Sequence, residues 1–197
     1  MGIPNILTVD KIEEIFSKIY KHWDHIQFEK LLKQFEIDEE AKYETLSLGN
    51  KMRIAIAIAL SHNAKLLVLD EPMNALDPAI RAEVVDLLIE YTRQEDHTIL
   101  ISSHIVTDLE KMCEYIGFMH AGELIINDEK DNILSSYGIL NIAPEEITNI
   151  PEGAIVAKKE TPYQVKLLID RKHAPNLEGL HPATLEEIFV GIVKGII

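Results

Sequence analysis

Apolar residues fall first at helical spacing and later at strand spacing along the chain. Ile12, Ile15, Phe16 and Ile19 recur every three or four residues, and Phe28, Leu31, Leu32 and Phe35 repeat the pattern after Asp24. Paired amphipathic helices are therefore expected between about residues 10 and 45, with Asp10 and Glu13 read as a cap and its return partner. The run Ile54-Ala55-Ile56-Ala57-Ile58-Ala59-Leu60 alternates in size with period 2, which a strand would also show. It has no polar face and is rich in alanine, so a buried helix with Ser47 as its N-cap is expected.

From Lys65 the rhythm changes. Leu66-Leu67-Val68-Leu69 reads as a short apolar strand of the parallel-sheet kind. A helix capped by Asp77 follows from Pro78, with Ile80, Val84, Leu87, Leu88 and Tyr91 facing inward. Thr98–Ser102 is a second buried strand, and a helix follows near Val106 to Cys113. Tyr115–His120 and Glu123–Asn127 read as a hairpin turning at Ala121-Gly122. Strand, helix, strand, helix predicts an α/β core with right-handed crossovers. Past Gly138 the composition shifts, with weak strands at Ala154–Lys158 and Gln164–Ile169. A closing helix begins at Thr184, with Glu187 completing a capping box and Leu185, Ile188, Phe189, Ile192 and Val193 as its inner stripe.

Composition narrows the function classes. With 47% apolar and 26% charged residues, the 197-residue chain is globular rather than disordered. Its 19 basic and 33 acidic residues give a net charge of −14, which repels phosphate backbones and argues against nucleic acid as a partner. One cysteine, Cys113, allows no internal disulfide and suits a reducing compartment. No apolar run approaches the ~18 residues of a membrane span, and Met1-Gly2-Ile3-Pro4-Asn5 lacks the features of a signal peptide. A cytoplasmic protein is expected.

Three segments carry candidate chemistry. Leu67-Val68-Leu69-Asp70-Glu71-Pro72 ends an apolar strand in two adjacent carboxylates, at the sheet edge where open α/β folds bind ligands. One can hold a hydrated Mg²⁺ while the next polarises a water; an ordinary acidic turn gives the same pattern. Leu46-Ser47-Leu48-Gly49-Asn50-Lys51 opens the buried helix, and Ser47 with the amides near Gly49 forms an anion site or simply a serine cap. Ser102-Ser103-His104 ends the next strand, where a neutral imidazole can reach a terminal phosphate or its attacking water.

The order of these segments, with Asn74-Ala75-Leu76-Asp77 between them, closely resembles the ATP-binding subunit of ABC transporters over about residues 5 to 137. In that resemblance Leu46–Asn50 stands for the signature motif and Leu66–Glu71 for Walker B. Asp70 is then directed toward Mg²⁺, and Glu71 is the catalytic base. Asn74–Asp77 matches the loop that meets a partner subunit, and His104 matches the switch histidine. Thr184–Phe189 resembles the tail of bacterial members. The resemblance implies a partial P-loop NTPase (RecA-like) α/β core. A helical subdomain at about 8–62 and a core at about 63–137 would make up domain 1–137, followed by a small α+β accessory region at 138–197. It also implies ATP and Mg²⁺ as cofactors, with Ser47, Gly49 and Asp77 toward the nucleotide. The partners would be a second ATP-binding subunit and a membrane-spanning transporter subunit, with the protein peripheral on the inner face of the membrane.

Two departures qualify the resemblance. Leu48 replaces a signature glycine and Asn50 the usual glutamine, while Ser47 and Gly49 remain. No Walker A loop, Gly-x4-Gly-Lys-Ser/Thr, occurs in the 197 residues; Gly117 and Gly122 have the spacing, but Glu123 stands where lysine belongs. The leading expectation is an ATP-binding subunit coupling hydrolysis to transport, with export favoured and the isolated chain inactive alone. The alternative is a non-hydrolytic module that completes another subunit's ATP site. A DNA-repair or translation ATPase is opposed by the acidic surface and the lack of a basic patch. His22 and His25 read as helix-surface residues rather than metal ligands, and Cys113 as packing. The acidic stretch Glu36–Glu44 reads as a solvated face, and in the family this region faces the membrane partner.

Overall fold

In the computed structural model of the chain, residues 3–197 are described; Met1 and Gly2, the start of the segment read above for a leader, lie outside them. The chain divides into two units, Met1–His104 and Ile105–Ile197. Among the described residues no helix is long and apolar enough to cross a membrane.

The first unit contains α1 (Val9–Ile19), α2 (His25–Gln34), α3 (Leu48–Leu60), β1 (Leu66–Asp70), α4 (Pro78–Thr92) and β2 (Thr98–Ser102). The ambiguous alanine-rich run is a helix, as its composition predicts, and it packs on α2. Phe28, Leu31 and Leu32 of α2 and Ile54, Ile56 and Ile58 of α3 are all buried.

The start of α1 departs from expectation. Asp10 lies inside the first turn, Thr8 occupies the N-cap, and Glu13 makes no return bond. The amides of Val9 and Asp10 donate instead to Ala41 O (3.1 Å) and Glu39 O (3.0 Å). Those carbonyls, about thirty residues away, satisfy two of the orphan donors of the helix start. Glu13 Oε1 accepts from Trp23 Nε1 at 3.4 Å and pairs with His25 Nδ1 at 2.8 Å.

Strands β1 and β2 pair in parallel with α4 between them in sequence, Leu66 opposite Thr98 and Asp70 opposite Ser102. Because side chains alternate along a strand, Leu66, Val68 and Asp70 share one face. Leu66, Val68 and Leu100 are exposed there, while Leu67 is buried on the other. The parallel pair therefore delivers Asp70 and Ser102 side by side at the carboxyl ends of the strands.

The second unit contains α5 (Val106–Met112), β3 (Tyr115–His120), β4 (Glu123–Glu129), α6 (Lys130–Ser136), β5 (Tyr137–Ile142), β6 (Ile155–Glu160), β7 (Val165–Asp170) and α7 (Leu185–Lys194). Strands β3 and β4 form the expected hairpin, and its turn residues Ala121 and Gly122 both have positive φ, 50° and 84°. The other three strands form an antiparallel sheet in the order β5-β7-β6.

The central strand β7 is buried on both faces. Leu168 packs with Ile116 and Phe118 of the hairpin and Leu185 and Ile188 of α7, while Val165, Leu167 and Ile169 face Leu140, Ala154 and Ala174. The hairpin and the accessory sheet thus share one core, although composition shifts only past Gly138. Elements α6 and β5 were not expected from the sequence. The helix is short, with Ile133 its one buried residue. Strand β5 holds Gly138 because a Cβ there would meet Leu180 Cβ at 3.2 Å.

Helix α7 carries the predicted capping box. Thr184 Oγ1 accepts from the Glu187 amide at 3.2 Å, and Glu187 Oε2 accepts from the Thr184 amide at 2.9 Å. Burial pushes the Glu187 carboxyl up, but the Lys166 ammonium at 2.6 Å and the Thr184 donors outweigh it and hold it below the ordinary range. A carboxyl with a depressed folded value stabilises fully above its unfolded value and loses that contribution as pH falls through the folded one. Thr184→Ala is expected to cost about 1 kcal/mol in urea unfolding at neutral pH. Glu187→Gln is expected to flatten the acid-side loss of stability. A Thr184→Ala protein as stable as the parent would show that the box contributes nothing.

Candidate functional site

At the carboxyl end of the parallel pair, one hydroxyl organises two acids. Ser102 Oγ donates to Asp70 Oδ1 at 2.5 Å and accepts from the Glu71 amide at 3.0 Å. The Glu71 amide also donates to Ser102 O at 3.2 Å. Glu71 itself sits at φ 46°, in the left-handed region that a non-glycine residue enters only when its surroundings hold it there. These two bonds to Ser102 are what hold it. The turn sends the Glu71 side chain away from the strand, where its Oε2 lies 2.9 Å from His104 Nδ1. With Glu71 ionised, His104 is the donor of that bond.

Asp70, Glu71 and His104 are thus brought into one hydrogen-bonded group, and all three were singled out from the sequence. Ser102 was read only as part of the strand end. Its role depends on the parallel register opposite Asp70, which no local pattern encodes.

The remaining candidates form a second group at the start of α3. Ser47 caps the helix, its Oγ accepting from the Asn50 amide at 3.1 Å. Leu48, the substituted signature position, is 70% exposed, so its side chain does not crowd the helix start. Gly49 lies so close to the Asn74–Asp77 loop that a Cβ there would approach Ala75 O to 3.1 Å. Asp77 caps α4 through Oδ1, which accepts from the Ala79 and Ile80 amides at 3.1 Å each. The Ile80 and Ala79 amides and the charge of Arg53 outweigh desolvation and hold the Asp77 carboxyl below the ordinary range. Arg53 Nη2, which the sequence did not single out, lies 3.4 Å from Asp77 Oδ2. The Glu71–Asp77 segment joins the two groups, with the Asn74 amide donating to Glu71 O at 3.3 Å.

The donor set suits a hydrated magnesium ion. Asp70 is exposed, and Ser102 engages only its Oδ1 among the hydrogen bonds described. Among the described residues no group of three or more His, Cys, Asp or Glu gathers into a full cage. Mg²⁺ is normally held by one or two carboxylates with waters and phosphate oxygens, so a lone strand-end aspartate fits it. The α3 N-terminus suits an anion through its dipole, although the Asn50 amide is taken by the Ser47 cap. Cys113 packs against the core of the second unit, and burial pushes its thiol up. His25 is engaged by Glu13.

The chain is similar to known ATP-binding proteins of ABC transporters. The family described as ABC transporter matches residues 5–74. The ABC transporter ATP-binding protein YtrB of Bacillus subtilis (strain 168) is 28% identical over 95% of this chain and 68% of its own length. The bacitracin transport ATP-binding protein BcrA of Enterococcus faecalis is 38% identical over 63% of this chain and 41% of its own. A solved ATP-binding subunit of an ABC transporter superposes with TM-score 0.66 and 20% identity, covering 98% of this chain and 65% of that one. The chain thus spans about two thirds of YtrB and of that subunit, and less than half of BcrA.

Proposed function

We propose that this chain, similar to ABC transporter ATP-binding proteins, serves in an ATP-binding subunit that couples ATP hydrolysis to transport. The observation that carries this reading is the Asp70–Ser102–Glu71–His104 group, in which a metal-facing carboxylate and a potential base are held apart by one serine. Asp70 Oδ2 would hold Mg²⁺, which supplies charge neutralisation to the phosphates of bound ATP. Glu71 would orient the attacking water and take its proton at a carboxylate oxygen, with His104 fixing the position of that carboxylate. Ser47 and the first amides of α3 would face nucleotide held by a second subunit, and Asn74–Asp77 would face that subunit. The protein would lie on the cytoplasmic face of the membrane against a membrane-spanning subunit. The non-hydrolytic alternative is not favoured, because the base and the switch histidine are both present and engaged with each other.

The decisive experiment is assembly. The complete subunit carrying Glu71→Gln, which keeps binding and loses proton abstraction, is expected to dimerise in saturating Mg-ATP by light scattering. A complete Glu71→Gln subunit that stayed monomeric there would sink the reading.

A further inference from the structure

Glu110 belongs to neither of the groups described above, yet it joins two helices that are far apart in sequence. Its side chain is half-buried, and its Oε1 accepts from the Leu185 amide at 3.3 Å, across 75 positions. Leu185 opens α7, so that amide is one of the donors a helix start leaves without an internal partner. The Thr184 and Glu187 amides are served inside the capping box, whereas the Leu185 amide is served from α5. A carboxylate at this end of α7 also meets the positive end of the helix dipole.

The rest of α5 is fixed to the same body. Val106, Leu109 and Cys113 pack on the core that contains Leu168, Leu185 and Ile188. Lys130, which opens α6, holds the C-terminal end of α5. Its Nζ donates to Glu110 O at 2.8 Å and its amide to Glu114 O at 2.7 Å. At the other end Ile105 is the N-cap, and its carbonyl accepts from the Asp108 amide at 3.1 Å. Ile105 is the single residue between α5 and His104. The chain leaving His104 therefore runs directly into a helix that α7 holds.

We propose that Glu110 is a positioning residue that ties α5 to the start of α7 and thereby fixes the segment carrying His104. The inference rests on the proposed role of His104 and gives the C-terminal helix a part in ATP hydrolysis. With α5 held, the backbone at residues 104 and 105 has fewer orientations open to it. The imidazole then loses less entropy on engaging Glu71. Glu110 acts only through His104.

The test uses the complete subunit and reads three quantities. These are kcat for ATP hydrolysis, the ATP concentration for half-saturation, and amide hydrogen exchange at residues 104–108. Glu110→Ala is expected to lower kcat roughly tenfold, to leave half-saturation unchanged, and to speed exchange at 104–108. Glu110→Gln keeps an acceptor for the Leu185 amide, so it should recover most of the rate. Glu110→Asp keeps the charge but is one methylene too short, so it should behave like Glu110→Ala. In a His104→Ala background, Glu110→Ala should lower kcat no further. Leu167→Val weakens the other face of the accessory sheet, in the core that α5 does not enter, and should leave kcat at the parental value.

A Glu110→Ala protein with the parental kcat would overturn the proposal. So would a further loss of rate in the His104→Ala background, or a fall in kcat without faster exchange at 104–108. Equal losses of rate from Glu110→Ala and Leu167→Val would reduce Glu110 to a stabilising contact and overturn it as well, as would a Glu110→Gln protein as slow as Glu110→Ala. If Glu110→Ala does not fold, Glu110→Asp decides by the same criteria. A parental rate in His104→Ala alone overturns the role of the histidine and this inference together, and it is seen without any change at Glu110.

Discussion

Glu71→Gln in the complete subunit is expected to lower kcat for ATP hydrolysis roughly 10²–10⁴-fold, with the ATP concentration for half-saturation little changed. The two bonds that hold residue 71 run from its backbone amide to Ser102 O and Oγ, so they survive the substitution. The glutamine carbonyl can still accept from His104, so the group keeps its geometry. What disappears is an oxygen able to take a proton. The change therefore removes an interaction needed only in the transition state, which lowers kcat rather than weakening binding. Steady-state kinetics of both proteins at saturating Mg²⁺ measures this. A parental kcat in the variant would remove Glu71 from the role of base.

The second large effect is expected at His104. Its ring is the partner that orients Glu71 Oε2, at 2.9 Å, and its side chain is 61% exposed, so His104→Ala leaves no buried cavity. The fold should persist while kcat falls on the order of 10²-fold. On the proposed role, in which the histidine acts through the glutamate, the two losses should not multiply. Glu71→Gln with His104→Ala should be no more than about threefold slower than Glu71→Gln alone. Multiplicative loss would mean that the imidazole contacts the reacting phosphate or water independently of Glu71.

The residues of the candidate site were legible in the chain, and their contacts were not. Asp70 and Glu71 are marked by the apolar run that precedes them, and Ser47 and Asp77 by their position before helical segments. Both capped as expected. The network that joins the acids runs through Ser102, which looks like any polar residue closing a strand. Arg53 likewise looks like a polar residue at the start of a helix, and only the fold brings it against Asp77. At α1 the local capping signal at Asp10 and Glu13 was misleading: Thr8 is the N-cap, and backbone carbonyls of residues 39 and 41 accept from the first amides of the helix. In the second unit β5 escaped notice, since it carries a glycine demanded by its neighbour Leu180 rather than an alternating pattern.

The sequence by itself determined the helices α2, α3, α4 and α7, the strands β1 and β2, the hairpin turn at Ala121-Gly122, and the identities of the acids and the histidine. Each depends on periodicity, a cap or a turn residue acting within a few positions. Only the tertiary structure decided the register that sets Ser102 opposite Asp70, the left-handed backbone at Glu71 and the approach of Arg53 to Asp77. These join residues 24 to 33 positions apart. Such contacts form only when intervening helices pack and repay the entropy of closing the loops between them, which no short stretch of sequence records.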